Sequence, residues 1–265
     1  MPTRNLARSM TLPLRREERF LVDSDVAAMV LQRASRQLGQ EREDALTPWR
    51  TTVYCDTEDR SIYEAARLGA APTLRFREYH QSRPEHVFAG GPVWLEVKET
   101  SALSNKERIE LSAAALRWVL RGGPALESDL GELAEQAHQL FRNGVRPALV
   151  TQCYRAAYAD REDHVRISAD FEVNYHALSW GSGGDTGVAC RIGPLVGRES
   201  EVVVELKLAQ EPPRWVLDLF KPLRDRALDP QDSKFVRGMA YLRPRPWAPR
   251  SLSRDHAAPA STPLP

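Results

Sequence analysis

Residues 73–79 read TLRFREY. In a strand, side chains i and i+2 share one face, roughly 6.7 Å apart at a rise of about 3.3 Å per residue. Arg75 and Arg77 therefore lie on one face, and Leu74 and Phe76 on the other. Two neighbouring guanidiniums repel one another unless something anionic sits between them. The stretch admits two readings: a solvated outer face, or a pocket for a multiply charged anion.

The same alternation recurs along the chain. Short runs with strand character are REERFLV (16–22), TTVYCDT (51–57), VWLEVKE (93–99), ALVTQCYRAAY (148–158), HVRISADFEV (164–173), GVACRI (187–192) and EVVVELKL (201–208), with FVRGMAYL (235–242) as a further candidate. Most are bounded by Gly, Pro or Asp-rich turns. Glu17 and Arg19 share a face, as do Glu96 and Lys98, Arg166 and Asp170, and Glu205 and Lys207. Arg155 continues the face of Thr151 and Cys153. The opposite positions are apolar.

Helical patterns lie between these runs. Asp23 or Ser24 caps a segment to Leu38, stopped by Gly39. Ser104 and Glu107 match a capping box ahead of IELSAAALRWVL, which ends at Gly122 and Gly123. Leu126, Leu130, Leu133, Ala137 and Leu140 form a stripe at helical spacing. PRWVLDLF (213–220) opens on a proline and reads as a fourth helix. Strands outnumber helices and do not alternate with them, which predicts an α+β fold with a mainly antiparallel sheet.

The 265 residues suffice for one substantial core, and the net charge of +1 excludes a bulk basic or acidic character. Any cationic site must be local. Cys55, Cys153 and Cys190 are odd in number and lack metal-site spacing, which predicts reduced thiols and a cytoplasmic protein. No apolar run approaches the ~20 residues of a membrane span. The expected domain plan is a flexible tail over 1–12, one folded unit over 13–243 and a disordered, Pro-rich tail over 244–265.

An antiparallel sheet with one polar face usually turns that face to water. Here the polar positions favour charged pairs, and the helices need apolar partners. If helices cover the apolar faces, the charged faces point inward, and a closed barrel would hold a polar interior. Buried charges need partners. A polyphosphate anion would satisfy the surplus Arg and Lys groups, and a hard divalent cation the spare carboxylates. Lys106 and Arg108, read as the first turn of the helix after Ser104, oppose the helix dipole unless an anion binds there.

Other candidates are weaker. WGSGGDTG (180–187) lacks the ending of a phosphate-binding P-loop. No histidine pair has ligand spacing. Asp56 and Asp59 suit a capped turn rather than a Ca²⁺ loop. An RNA-binding sheet should expose aromatics, and only Trp94 and Tyr79 offer them.

The motifs RREERF, VYCDTED with Tyr63, LRFREY, LEVKE, NKER, CYRAAY, VRISAD, VELK and DSKF stand in an order that resembles the VTC domain. That is the polyphosphate-polymerase branch of the CYTH, or triphosphate tunnel metalloenzyme, superfamily. The resemblance runs from about Arg15 to Leu242. It implies a closed, eight-stranded antiparallel β-barrel, the tunnel fold, with helices packed outside. It places phosphate-binding groups at Arg19, Arg75, Arg77, Lys98, Lys106, Arg155, Arg166, Lys207 and Lys234. Arg75, Lys98 and Glu205 fall at catalytic positions, and Glu205 with Glu17 would hold Mn²⁺ or Mg²⁺. The implied substrates are ATP and polyphosphate or triphosphate, with no nucleic-acid partner. The implied reaction is transfer of the γ-phosphate of ATP to a growing polyphosphate chain. A triphosphatase, or a module that only binds polyphosphate, is the alternative. Two departures stand out: Arg19-Phe20 replaces the family's Lys-Tyr, and residues 174–187 look like an insertion.

Overall fold

A computed structural model describes residues 9–41, 45–70, 72–98, 103–121, 131–162, 164–178, 189–229 and 231–242, with side chains omitted for 9–14 and 103–106. The Pro-rich segment 244–265, residues 1–8 and most of the 174–187 stretch lie outside these.

Eleven strands alternate irregularly with helices. In chain order they are β1 (Ser9–Val22), α1 (Ser24–Gln37), β2 (Gly39–Gln40), β3 (Trp49–Asp56), α2 (Ser61–Arg67), β4 (Thr73–His80), β5 (His86–Val87) and β6 (Val93–Lys98). There follow β7 (Leu103–Leu111), α3 (Ala113–Arg121), α4 (Glu132–Arg142), β8 (Arg146–Ala159) and β9 (Val165–Leu178). The chain continues through β10 (Cys190–Arg198), β11 (Val202–Leu208), α5 (Arg214–Phe220), a 3₁₀ turn (Lys221–Arg226) and α6 (Lys234–Tyr241). The class is α+β, as the sequence predicts.

The expected count of eight strands is corrected to eleven. The strands form one eleven-stranded antiparallel sheet in the order β2-β8-β3-β4-β6-β7-β1-β11-β9-β10-β5, ending in edge strands β2 and β5. Both edges are two-residue pairings: Gly39 and Gln40 against Ala159 and Tyr158, and His86 and Val87 against Arg191 and Cys190. Pieces that short carry no alternation for a sequence pattern to reveal. β8 and β9 also pair with each other, from Leu149 opposite Ala177 to Ala159 opposite Arg166, which joins β8-β3-β4-β6-β7-β1-β11-β9 into a ring of eight and leaves β2, β10 and β5 outside it.

Two further readings are corrected. Ser104, Lys106 and Arg108 do not open a helix. They lie on β7, which pairs with β6 on one side and β1 on the other. The helix starts later, where the Ser112 hydroxyl accepts from the Ala115 N–H at 3.1 Å. Residues 235–242 are not a strand. Ser233 accepts from the Val236 N–H at 3.2 Å and caps α6, whose Phe235, Val236 and Met239 fall at helical spacing and are buried.

Helices cover the apolar face of the sheet. α1 and α5 pack on Phe20 and Val22 of β1, Ile167 and Ala169 of β9, and Val204 and Leu206 of β11. α3 and α4 pack on Val53, Phe76, Leu95 and Ile109 of β3, β4, β6 and β7. Burying such side chains contributes about 1.5–3 kcal/mol each. A third cluster lies on the opposite face, where α6 seats Phe235 and Met239 against Tyr54, Leu149, Tyr175 and Val203. The rest of that face carries the charges.

Candidate functional site on the charged face of the sheet

Strand alternation does the positioning. Phe20 faces the helices, so Arg19 and Glu17 face away from them. Val204 and Leu206 fix Glu205 and Lys207 in the same way, and Ile167 and Ala169 fix Arg166, Ser168 and Asp170. The registers then place these groups side by side: Arg19 opposite Glu205, Glu17 opposite Lys207, and Lys207 opposite Arg166.

The side chains form one connected ionic chain. Lys98 Nζ from β6 donates to both Glu17 oxygens at 3.1 Å. Glu17 Oε2 lies 3.7 Å from Lys207 Nζ, and Lys207 Nζ lies 3.4 Å from Glu205 Oε2. Glu205 Oε2 in turn lies 3.7 Å from Arg155 Nη2. Arg155 grips Asp170 with two parallel bonds, Nε at 2.5 Å and Nη2 at 2.7 Å. Lys234 Nζ, from the first residue of α6, reaches the same carboxylate at 2.5 Å. Seven groups from β6, β1, β11, β8, β9 and α6 are thus linked.

Around this chain stand further cations. Arg19 Nε lies 3.6 Å from Glu17, and Arg19 Nη1 donates to the Asp232 carbonyl at 3.0 Å. Arg75 Nε donates to Glu96 at 2.8 Å, and Arg77 Nη1 lies 3.9 Å from the same oxygen. Arg77 Nε also donates to Thr52 Oγ1 at 3.2 Å. Arg166 pairs with Glu41 at 2.5 Å. Arg50 is buried and lies 4.6 Å over the Tyr79 ring. Together these nine cations face five carboxylates.

Arg75 and Arg77 share one anion supplied by the fold itself. Both guanidiniums lean on Glu96, which is fully buried. The arginines are only 11% and 14% exposed, which rules out a solvated outer face.

The electrostatics follow from this crowding. Burial pushes the Asp170 carboxyl up, but Arg155 and Lys234 outweigh it and hold it far below the usual range. Burial likewise pushes Glu205 up, and Lys207, Arg155 and the neighbouring Glu17 hold it well below its ordinary value. The Lys207 ammonium is lowered by burial, with Glu205 and Glu17 opposing and Arg166 and Lys98 adding to the effect. Burial, then repulsion from Arg155 and Arg77, pulls Arg50 down to about 10.

Like charges stand directly across two ladders, Lys207 from Arg166 and Lys98 from Lys106. Such pairs are destabilising on their own; here Glu17 and Glu205 reach Lys207, and Glu41 reaches Arg166. The Lys106 side chain is outside the described set.

The candidate metal ligands are adjacent. Glu17 and Glu205 both reach Lys207, from neighbouring strands. Among the described residues no group of three or more His, Cys, Asp or Glu could hold a metal on its own. Two hard carboxylates suit a Mn²⁺ or Mg²⁺ ion that completes its shell with substrate phosphates.

Sequence reasoning singled out neither Arg50 nor Glu41, and gave Asp170 no role. Asp170 was findable, four positions after Arg166 on the same strand face. The Asp56 reading as a capped turn fits: Oδ1 accepts from the Thr57 and Ile62 N–H groups at 2.8 and 3.0 Å.

A family model for the VTC domain matches residues 14–243. The chain belongs to the VTC-domain family. Among solved structures, a candidate adenylate cyclase of Bacillus halodurans shares 14% identity over 85% of this chain and 97% of its own, with a TM-score of 0.50. That likeness is one of fold. A candidate adenylate cyclase of Vibrio parahaemolyticus shares 13% identity over 79% of this chain and 83% of its own, with a TM-score of 0.39. No curated protein matches the chain. No described helix is long and apolar enough to cross a membrane.

Proposed function

We propose that the chain is a metal-dependent phosphotransferase that moves the γ-phosphate of ATP to the end of a polyphosphate chain on its charged face. The observation that carries this is the placement of Lys207 directly opposite Arg166 in a half-buried setting rich in cations. Internal carboxylates already reach both cations, Glu17 and Glu205 on Lys207 and Glu41 on Arg166, and a polyanion lying between the two would take over those contacts.

Phosphoryl transfer asks little covalent chemistry of the protein. It needs alignment of donor and acceptor and stabilisation of charge on the transferring group. In this reading Arg75, Arg77, Arg155 and Arg166 clamp phosphates through fork-shaped donor edges. Arg19, Lys98, Lys106, Lys207 and Lys234 supply point charges along the phosphate path. Arg19 stands where the family has a lysine, so it offers a planar fork in place of a compact ammonium. Glu17 and Glu205 would hold the divalent ion. Held there, such an ion would supply neutralisation of phosphate charge. Glu17 and Glu205 are at present tied to Lys98, Lys207 and Arg155, so an arriving phosphate would take over these cations and free the carboxylates.

Product analysis with ATP and Mn²⁺ tests the proposal. Long polyphosphate supports a polymerase. ADP with orthophosphate alone means that water is the acceptor and the chain is a triphosphatase. Absence of turnover with retained polyphosphate binding reduces the protein to a binding module.

A further inference from the structure

We propose that Asp170 is a positioning residue that sets Arg155 and Lys234 as a two-pronged phosphate grip. The inference rests on the phosphate-handling reading above and adds a residue to it.

Asp170 is fully buried on β9. A group so enclosed does not meet substrate. Its two oxygens are taken by three donors: Arg155 Nε at 2.5 Å on Oδ1, and Arg155 Nη2 at 2.7 Å with Lys234 Nζ at 2.5 Å on Oδ2. A side-by-side pair of this kind fixes the plane of the guanidinium as well as its distance. It occupies the Nε and Nη2 edge and leaves Nη1 outside this pair.

Lys234 is 64 residues further along the chain, at the start of α6. A lysine carries a compact charge on a flexible stem, and without a partner its position is spread over many rotamers. Asp170 removes that freedom. It also ties the first turn of α6 to the sheet, while Phe235 of the next position packs on Tyr54 at 5.3 Å. Three charges in contact, two positive and one negative, leave a net single positive charge held in fixed geometry. Effective alignment of this sort matters because a misplacement of about 1 Å can cost about a hundredfold in rate.

The test uses the full chain. Asp170→Glu keeps the charge and displaces the carboxylate by one methylene. Tripolyphosphate affinity is measured by calorimetry, turnover with ATP and Mn²⁺ by product analysis, and folding by thermal melting. Positioning predicts at least a tenfold loss of affinity or turnover at an unchanged melting temperature. Wild-type affinity and turnover in Asp170→Glu would overturn the inference. If Asp170→Glu melts early, Asp170→Asn takes its place. Removing a negative charge would by itself strengthen polyanion binding, so a turnover loss there, with binding retained, still reports lost geometry. Unchanged turnover in Asp170→Asn overturns the inference. Lys234→Met gives an independent reading, because in the double variant the two losses should be less than additive. Full additivity means that Asp170 does not act through Lys234. Failure of wild type to bind tripolyphosphate is a different result, which removes the functional reading itself.

Discussion

Arg77 shows what a single residue contributes. It shares Glu96 with Arg75 and donates to Thr52, so its guanidinium is fixed before any ligand arrives. A hydrogen bond to a charged group is worth about 1.5–3 kcal/mol, and about 1.4 kcal/mol is tenfold in affinity. Arg77→Ala should therefore weaken tripolyphosphate binding by about one to two orders of magnitude in a calorimetric titration. Glu205→Ala should behave differently, losing turnover while nucleotide binding is retained or tightened, because it removes a negative charge from the phosphate path. Loss of nucleotide binding in that variant would contradict its assigned role. A third residue, Glu78, tests the covered face. It is buried, accepts from the Phe88 N–H at 3.0 and 3.1 Å, and is pushed by burial from 4.5 up to about 7. A raised carboxyl favours folding while protonated, so its contribution is complete below pH 4.5 and lost as pH rises through 7. Across that window wild type should lose up to about 3 kcal/mol relative to Glu78→Gln. Parallel pH curves in chemical denaturation would contradict this. At this scale the sequence was informative wherever alternation was regular. Arg19, Arg75, Arg77, Lys98, Arg155, Arg166 and Lys207 all lie on the face the pattern assigned. Arg50 was missed because it stands at the edge of its run, beside Trp49 and Pro48.

At the scale of elements, α6 combines two opposing effects. Gly238 sits inside the helix, where alanine is favoured over glycine by about 1 kcal/mol. Yet a Cβ there would meet Leu149 Cδ2 and Tyr175 Cδ1, both at 2.5 Å. Leu149 and Tyr175 are fully buried and cannot yield cheaply. Overpacking costs about 1–3 kcal/mol, which exceeds the gain in propensity. Gly238→Ala should lower the melting temperature, and a rise would mean that α6 sits less tightly than described. The same helix explains a misreading. FVRGMAYL is rich in β-branched and aromatic residues, so local propensity favours a strand, whereas the Ser233 cap and the packing of Phe235 and Met239 select a helix. β7 fails in the other direction. Its Ser104 and Glu107 match a helix-capping pattern by chance. Pairing on both edges, with Ile109 and Leu111 buried beneath α3 and α4, outweighs any local helical tendency. Edge strands β2 and β5 were illegible for a simpler reason: two residues have no period.

The whole molecule is nearly neutral, with a net charge of +1, but its cations are not evenly spread. The ionic chain from Lys98 to Lys234 links six elements that are distant in sequence, and that convergence could be read only from the family-like order of motifs, not from composition. The number of strands and the edges of the sheet could not. Attraction between a clustered cationic face and a polyanion is screened by salt. Raising the ionic strength from 0.1 M to 1 M shortens the Debye length from about 10 Å to about 3 Å. Tripolyphosphate affinity should accordingly fall several-fold over that range, and a salt-independent affinity would point to a different mode of binding. The most direct test is a crystal structure of the protein soaked with tripolyphosphate and Mn²⁺. The account predicts phosphate density between Arg77, Lys98, Arg155, Arg166 and Lys207, with the metal at Glu205 and Glu17. An anion bound on the helix-covered side, or a charged face that stays empty at saturating ligand, would contradict it.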